Sequence, residues 1–310
     1  MLTATPDLRV VAPATSANLG PGFDSLALAL DYWNTIDIWL SDSGGPRVTA
    51  VQGEGRESLE RDDRNLVLLA MRRLAAEADR RLPDCLIGLK NNVPLGRGMG
   101  SSAAAITGGL VAAAALLNLE VDPRALLPVA LGLEGHPDNV VAALYGGFTV
   151  GVLEHGTPRV MHVRPAADLR AVVLAPDQFS STLESRQTLP ESVSRADAVF
   201  NAGRCALLGM ALCESRWDLL AVAMGDRLHQ PQRARGFPYL NDVISAAISS
   251  GAHGAALSGS GSSVIALCTE REEEVAGAMA EAAARHCLVA RVLTLSIASE
   301  GAHRVPVFQD

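Results

Sequence analysis

The chain contains very little lysine. Lys90 is the only lysine among its 26 basic residues, so nearly every positive charge is carried by arginine. Mechanisms that depend on a reactive amine therefore have almost no candidate residue. The sequence also has no G-x-S-x-G nucleophile elbow and no S-x-x-K motif, which excludes two familiar serine-based active sites.

Cysteine and histidine are not arranged as metal ligands. The 5 cysteines form no C-x-x-C pair, and the 7 histidines show no ligand spacing such as H-E-x-x-H. An odd number of scattered thiols is typical of a reducing compartment, so we expect reduced cysteines in a cytoplasmic protein. The N-terminal residues have no basic stretch followed by an apolar core, so we do not expect a signal peptide.

The charge balance is acidic, with a formal net charge of −8. Such a chain lacks the broad cationic face that binds a phosphate backbone, so we expect no nucleic-acid partner. Residues 102–119 are uncharged and approach the length of a membrane span. They are rich in Ala and Gly and directly follow a glycine loop. We therefore expect a helix buried inside the protein and no membrane partner.

A length of 310 residues, at about 150 residues per domain, suggests two domains. The first half alternates strand-like and helix-like segments. The second half reads as helices and strands that form a compact α+β unit. Gly, Pro and polar residues cluster near Gly156–Asp168. We therefore predict an N-terminal domain over residues 1–160 and a C-terminal domain over residues 161–310.

Three local patterns lead to specific structural predictions. The polar segment Ala14–Phe23 is expected to be a loop. Asp62 and Asp63 are expected to cap a helix that runs from Asn65 to Ala78. Helical spacing is also predicted over Trp217–Leu228.

The strongest chemical signal is the segment Pro94–Ala104, which follows a predicted strand and opens a long helix. Its three glycines let the backbone approach a ligand closely, and a helix N-terminus favours an anion such as phosphate. A Walker A loop would need a lysine, and a Rossmann fingerprint would need G-x-G-x-x-G, so neither applies. The alternative is a turn of small residues that packs the helix on the strand.

Polar residues outside this loop form further candidate sites. Ala14–Asp24 brings Asn18 and Asp24 into a segment suited to substrate binding, although both side chains could simply bond their own backbone. Glu134–Asn139 offers carboxylates for Mg²⁺, or it is only the end of a helix stopped by Gly135 and Pro137. The glycine turn Leu257–Ser263 alone predicts a tight hairpin.

Two arginines stand in predicted loops. Arg186 and Arg233 could bind a carboxylate through the two parallel hydrogen bonds that a guanidinium provides. In a chain so rich in arginine, the alternative for each is a solvated surface charge.

Together these segments resemble the GHMP kinase family of small-molecule kinases. Pro94–Ala104 is similar to its P-x-x-x-G-x-G-S-S-A phosphate loop, and Ser258–Ser262 to its C-terminal glycine motif. Pro13–Asp24, Glu134–Asn139 and the arginine segments resemble the branch that acts on L-homoserine. The resemblance implies an α+β fold in two domains. The first would resemble ribosomal protein S5 domain 2, the second would be ferredoxin-like, and a homodimer is possible.

The resemblance also implies a reaction: transfer of the γ-phosphoryl group of ATP, with Mg²⁺, to the hydroxyl of L-homoserine. Mg²⁺ would be held by Ser102 and Glu134. The expected ATP-binding residues are Asn65, Pro94, Leu95, Gly96, Arg97, Gly98, Met99, Gly100, Ser101, Ser102, Ala103 and Ala104. The expected substrate-binding residues are Asn18, Asp24, Asp138, Asn139, Arg186 and Arg233.

Asn139 and Asp24 are the expected catalytic residues. Asn139 would lie beside the attacking hydroxyl, which could lose its proton directly to the phosphate, and Asp24 is the alternative base. Two other functions stay open at this point. One is a GHMP kinase for mevalonate or another alcohol, and the other is a nucleotide-binding regulator without catalysis.

Overall fold

The computed structural model describes residues 5–42 and 44–307. Two β-sheets organise the chain, and helices pack on each. In the first half the elements are β1 (Leu8–Asn18), β2 (Gly22–Leu40), β3 (Arg47–Gly53), α1 (Leu66–Glu77), β4 (Cys85–Asn91), α2 (Ser101–Leu116), α3 (Pro123–Glu134), α4 (Pro137–Tyr145), β5 (Phe148–Glu154) and β6 (Thr157–Val163).

The second half continues with β7 (Arg170–Pro176), α5 (Thr182–Gln187), α6 (Arg195–Cys213), α7 (Leu220–Ala223), α8 (Gln230–Arg233), α9 (Leu240–Ser249), β8 (Gly254–Leu257), β9 (Val264–Cys268), α10 (Glu272–Arg285), β10 (Ala290–Ser296) and β11 (His303–Val305).

The first sheet has the order β11-β1-β2-β4-β3, and β5 and β6 extend it from β2. Its pairs are antiparallel apart from β3 with β4. The second sheet has the order β10-β7-β9-β8, with every pair antiparallel. Numbered along the chain, that is the 4-1-3-2 order of a ferredoxin-like unit. The α+β fold class and the ferredoxin-like second half are therefore confirmed.

The prediction of a loop over Ala14–Phe23 is wrong for seven of its ten residues, because β1 and β2 leave only residues 19–21 between them. β1 continues through Asn18, with Thr15 opposite Ala29 in β2. Thr15 and Ser16 are fully buried. Polar side chains can occupy a buried strand when they have hydrogen-bond partners, and here those partners come from distant parts of the chain.

Helix α2 confirms the expectation of a buried apolar helix, since Ala103 to Ala114 are almost entirely enclosed. It packs against β1, α1 and α3. Among the described residues, one helix reaches the length and hydropathy of a membrane span, namely α6.

Three helix boundaries differ from prediction. Asn65 caps α1, since its Oδ1 accepts a hydrogen bond from the amide of Val67, so Asp62 and Asp63 are not the cap. Helix α3 ends at Glu134 with Gly135 as its cap, as the sequence suggested, but Pro137 also opens a new helix, α4, because proline suits the first helical turn. The predicted helix over Trp217–Leu228 ends at Ala223, and the Asp226 carboxylate then accepts three backbone amides and holds a turn.

Candidate active site

The glycine loop between β4 and α2 is shaped by close contacts. Gly96, Gly98 and Gly100 all have positive φ, at 61°, 73° and 67°. A Cβ on Gly98 would lie 2.1 Å from the carbonyl oxygen of Ser258, and one on Gly100 would lie 1.8 Å from the Thr15 Oγ1. Both positions therefore require glycine. No side chain caps the N-terminus of α2, so its first amides face the loop as hydrogen-bond donors for an anion.

Residues from the second half hold this loop in place. The Ser258 hydroxyl donates to the carbonyl of Gly98 at 2.6 Å. The Ser263 amide donates to the carbonyl of Arg97 at 3.1 Å, and the Ser180 amide to that of Gly96 at 2.6 Å. The glycine turn that sequence alone interpreted as a hairpin is thus a support for the phosphate loop.

A polar cavity of about 100 Å³ opens beside the loop, between the two halves. Most of the substrate and metal candidates from the sequence line it together with the loop. The lining includes Asn18, Asp24, Pro94, Gly96, Arg97, Gly98, Met99, Gly100, Ser101, Ser102, Glu134, His136, Asp138, Asn139, Arg186 and Arg233. Side chains separated by more than 200 positions in sequence therefore meet in one place.

Asp24 and Arg186 form a two-pronged ion pair in this cavity. The two terminal nitrogens of Arg186 donate to the two oxygens of Asp24, at 2.6 and 3.0 Å. Asn18 fixes the backbone here, since its Oδ1 accepts from the amide of Asp24 and its Nδ2 donates to the carbonyl of Gly259. Arg186 is therefore not a free carboxylate clamp, because its end is already occupied by a carboxylate.

Asp138 and Asn139 begin helix α4 at the floor of the cavity. The Asp138 carboxylate accepts from the amide of Asn139 at 2.7 Å, and burial raises the pKa of Asp138 to about 7. The Oδ1 of Asn139 accepts from the Thr15 hydroxyl at 2.7 Å. Burial, together with the nearby charge of Arg186, lowers the pKa of His136, which favours a neutral ring.

The side chains of Ser102 and Glu134 converge, with the hydroxyl 2.6 Å from the carboxylate oxygen. Mg²⁺ takes oxygen ligands, and in kinases it is bound by one or two carboxylates together with the substrate phosphates. The described residues contain no group of three or more Asp, Glu, His or Cys that could hold a metal by itself. A hydroxyl and one carboxylate beside a phosphate loop fit an ion that the nucleotide brings with it.

Arg233 is the most buried arginine of the site, with 4% exposure. Its Nη1 donates to the carbonyl of Gly259 at 3.0 Å and lies 3.2 Å from the Nδ1 of His229. Burial lowers the pKa of Arg233 to about 10, so it stays charged at neutral pH.

A second, largely apolar cavity of about 400 Å³ lies on the other side of the loop. Asn65, Leu95 and Ala104 line it, and so does Phe179, which is 71% exposed. The Asn65 amide caps α1 and donates to the carbonyl of Glu60, so both of its ends are engaged inside the protein. Ala103 is fully buried in the core behind the loop.

Sequence reasoning missed several residues that shape the site. Thr15 orients Asn139, Ser258 supports the loop, and His229 contacts Arg233. Phe23 lies against both arginines, with each guanidinium carbon 5.4 Å from the ring centre. His229 stands four residues before Arg233, a spacing that places two side chains on one face of a helix, and this local signal could have found the contact.

Comparison with known proteins identifies the class. Residues 65–147 match the GHMP kinases N terminal domain, and residues 210–285 match the GHMP kinases C terminal description. The chain belongs to the GHMP kinase family.

Its full-length relatives are more specific. A homoserine kinase of Desulfitobacterium hafniense is 44% identical over 95% of this chain and 99% of its own length. One of Symbiobacterium thermophilum is 47% identical over 95% of this chain and 94% of its own length. The crystal structure of homoserine kinase from Cytophaga hutchinsonii, 30% identical, superposes with a TM-score of 0.89 over 98% of this chain and 99% of that one.

Proposed function

We propose that this chain transfers the γ-phosphoryl group of ATP to the side-chain hydroxyl of L-homoserine, giving O-phospho-L-homoserine and ADP. This reaction is a step of threonine biosynthesis. The observation that carries the proposal is the polar cavity beside the phosphate loop, where Asp138 and Arg233 offer opposite charges to an amino acid. The full-length relatives named homoserine kinase support the same substrate.

Homoserine carries an ammonium and a carboxylate, and the cavity offers a partner for each. Asp138 binds the ammonium, and Asn18 lines the same cavity and fixes the backbone at Asp24 and Gly259. Arg233 binds the carboxylate, and Arg186 contributes positive charge while it is held by Asp24. This assignment requires Asp138 to be ionised, which its raised pKa makes dependent on pH.

ATP occupies both cavities around the loop. The backbone amides of Gly96–Ser102 bind its phosphates, and the apolar cavity with Asn65 and Leu95 receives the base. Ser102 and Glu134 would hold Mg²⁺, and the ion would neutralise charge on the phosphates. The apolar cavity recognises the base mainly by shape, because the Asn65 amide is engaged within the protein.

Catalysis rests on positioning rather than on a general base. An amide is not basic, and the Oδ1 of Asn139 already accepts from Thr15. Both oxygens of Asp24 accept from Arg186, which argues against Asp24 as the base. The substrate oxygen forms its bond to the γ-phosphorus as the bond to the ADP oxygen breaks, and the hydroxyl proton passes to a phosphoryl oxygen. Asn139 holds the hydroxyl in line.

The test measures ADP release from MgATP with L-homoserine, L-threonine, L-serine, mevalonate or no acceptor. We expect turnover that depends on L-homoserine. Turnover only with mevalonate would be consistent with the nucleotide site but would contradict the assignment of the polar cavity to an amino acid. ATP binding without turnover on any acceptor would favour a regulator.

A homodimer, a cytoplasmic location and a domain boundary at residues 160/161 stay predictions. Light scattering of the purified protein tests the homodimer, with twice the mass of 32.4 kDa as the expected result.

A further inference from the structure

We propose that His229 is a positioning residue for the substrate carboxylate. Its neutral ring holds the guanidinium of Arg233 so that the Nε edge of the arginine is offered to the ligand. The inference rests on the proposed function, since it names how that site recognises one end of its substrate.

The hydrogen bonds of His229 fix which ring nitrogen carries the proton. Its Nε2 lies 2.7 Å from the carbonyl oxygen of Gly20, which can only accept. Its Nδ1 lies 3.2 Å from the Nη1 of Arg233, which can only donate. Nε2 is therefore protonated and Nδ1 is the acceptor. A second proton on Nδ1 would point at the cationic guanidinium.

The ring is held in this position from several sides. His229 is fully buried, and its ring stacks on that of Phe23 with the centres 5.2 Å apart. The Asp226 carboxylate accepts the backbone amide of His229 and is itself held by Asn201. Burial lowers the pKa of His229, which agrees with a neutral ring at pH 7.

The consequence falls on the guanidinium of Arg233. Nη1 has two hydrogens, and the Nδ1 of His229 and the carbonyl of Gly259 take both. Within the part of the chain that the structure describes, the buried Nε of Arg233 has no hydrogen-bond acceptor. A carboxylate can bind an arginine side-on, through Nε and one terminal nitrogen. The fixed Nη1 leaves that edge for the ligand.

Arg186 is held by a charged partner instead, although its buried Nε likewise has no hydrogen-bond acceptor among the described residues. Both of its terminal nitrogens bind Asp24, so its end-on edge is closed to a ligand carboxylate. Of the two arginines, Arg233 is thus the one whose ligand-binding edge depends on a neutral partner. Replacing that partner should affect substrates that carry a carboxylate and spare those that do not.

Two substitutions separate the hydrogen bonds from the volume of the ring. His229→Phe keeps an aromatic ring against Phe23 and removes both nitrogens. His229→Gln keeps a donor and an acceptor at a similar separation. His286→Phe is the control, since His286 pairs with Asp242 at the surface and neither residue lines the cavity.

The assay compares kcat/KM for L-homoserine with kcat/KM for 3-amino-1-propanol, which lacks the carboxylate. We expect His229→Phe to lower the value for homoserine by about 10- to 100-fold, as for the loss of a hydrogen bond to a charged group. Neither kcat/KM for the amino alcohol nor KM for ATP should change much. His229→Gln should recover most of the loss, and His286→Phe should match the wild type.

An equal loss on both acceptors, or equal losses in the Phe and Gln variants, would overturn the inference. A wild type that turns over no homoserine would instead overturn the proposed function. Nitrogen-15 NMR of the wild-type protein tests the tautomer without any substitution. We expect a neutral His229 ring protonated at Nε2 at pH 7, and a proton on Nδ1 would contradict the inference even if His229→Phe failed to fold.

Discussion

The two cavities that share the glycine loop recognise ligands in different ways. The polar cavity is lined by ionisable side chains such as Asp138 and Arg233. Asp138 accepts from the neighbouring Asn139, and Arg233 bonds to His229 and Gly259. The apolar cavity is lined by Leu95, Ala104 and amides such as that of Asn65, whose hydrogen bonds are used inside the protein. We therefore expect one side to discriminate between ligands by charge and the other by shape. Substitutions in the polar cavity should change KM for homoserine, and those in the apolar cavity should change KM for ATP.

The largest expected effect lies at the boundary between the cavities. Glu134→Gln keeps the size of the side chain and removes the charge beside Ser102. Under the proposed function, Mg²⁺ would then lose a ligand. We expect kcat to fall by roughly 100-fold or more and the Mg²⁺ requirement to rise. Steady-state kinetics over a Mg²⁺ titration measures both. Glu154→Gln, at an exposed ion pair on β5, is the control and should leave kcat unchanged.

Arg233→Ala should separate the two cavities most clearly. It removes a buried charge from the polar side, so KM for homoserine should rise by about 30-fold or more while KM for ATP changes little. The exposed neighbour Arg235 provides the matched control, Arg235→Ala. A larger change in KM for ATP than for homoserine would refute the assignment of the carboxylate to Arg233.

The pH dependence should come from the polar cavity alone. The pKa of Asp138 is about 7, raised by burial, and only its ionised form binds an ammonium. We expect kcat/KM for homoserine to rise with pH through about 7. One pH unit below this pKa, kcat/KM should be about tenfold below its plateau value. Asp138→Asn should lower the plateau and remove this limb. If kcat/KM of Asp138→Asn still rose with pH through about 7, the pH dependence would belong to another group.

The same carboxyl links pH to stability. The folded chain holds a proton on Asp138 up to about pH 7, whereas the usual pKa is 3.8. Between these values the folded state binds more protons than the unfolded state, so this group lowers the free energy of unfolding as pH rises. Urea titrations at pH 5 and pH 8 measure the free energy of unfolding. Its decrease between the two pH values should be smaller in Asp138→Asn than in the wild type.

The smallest expected effect lies in the apolar cavity. The Phe179 ring is mostly exposed at the cavity mouth and packs close to Gly96, so its loss should leave the fold intact. Phe179→Ala should raise KM for ATP by about threefold and leave KM for homoserine unchanged. The reverse pattern would mean that the base does not bind beside Phe179.

Much of the site was predictable because the glycine loop carries its own information. Three glycines after a strand and before a helix predict close backbone approach, and the contacts at Gly98 and Gly100 supply the physical reason. The partners were not predictable from local patterns. Thr15 and Asn139 are 124 positions apart, and Ser258 and Gly98 are 160 apart. Each looks like an ordinary polar residue until the fold joins them.

The fold shows the same division. Helix α2 was predicted because an uncharged stretch rich in Ala and Gly directly follows the glycine loop, which is a local signal. The segment after Ala14 was predicted as a loop because its polarity is visible in the sequence and its buried partners are not. The segment after Ala223 was predicted as helix because its spacing continues, although the Asp226 carboxylate forms a competing turn there.

The final strand β11 ties the second half of the chain back to the first. After β10, the residues that lead to β11 bond along the first half, where the amide of Ala298 donates to Ala29 and the amide of Ala302 donates to Ala143. β11 then pairs with β1. The chain therefore crosses between the sheets twice, first between β6 and β7 and again between β10 and β11. A molecule with two crossings resists twisting of one half against the other. A buried apolar cluster also joins the two sheets, with Leu26 and Leu28 of β2 packed in the same cluster as Ala171 and Val173 of β7. The phosphate loop therefore lies between two halves that are tied by the chain and by a common core.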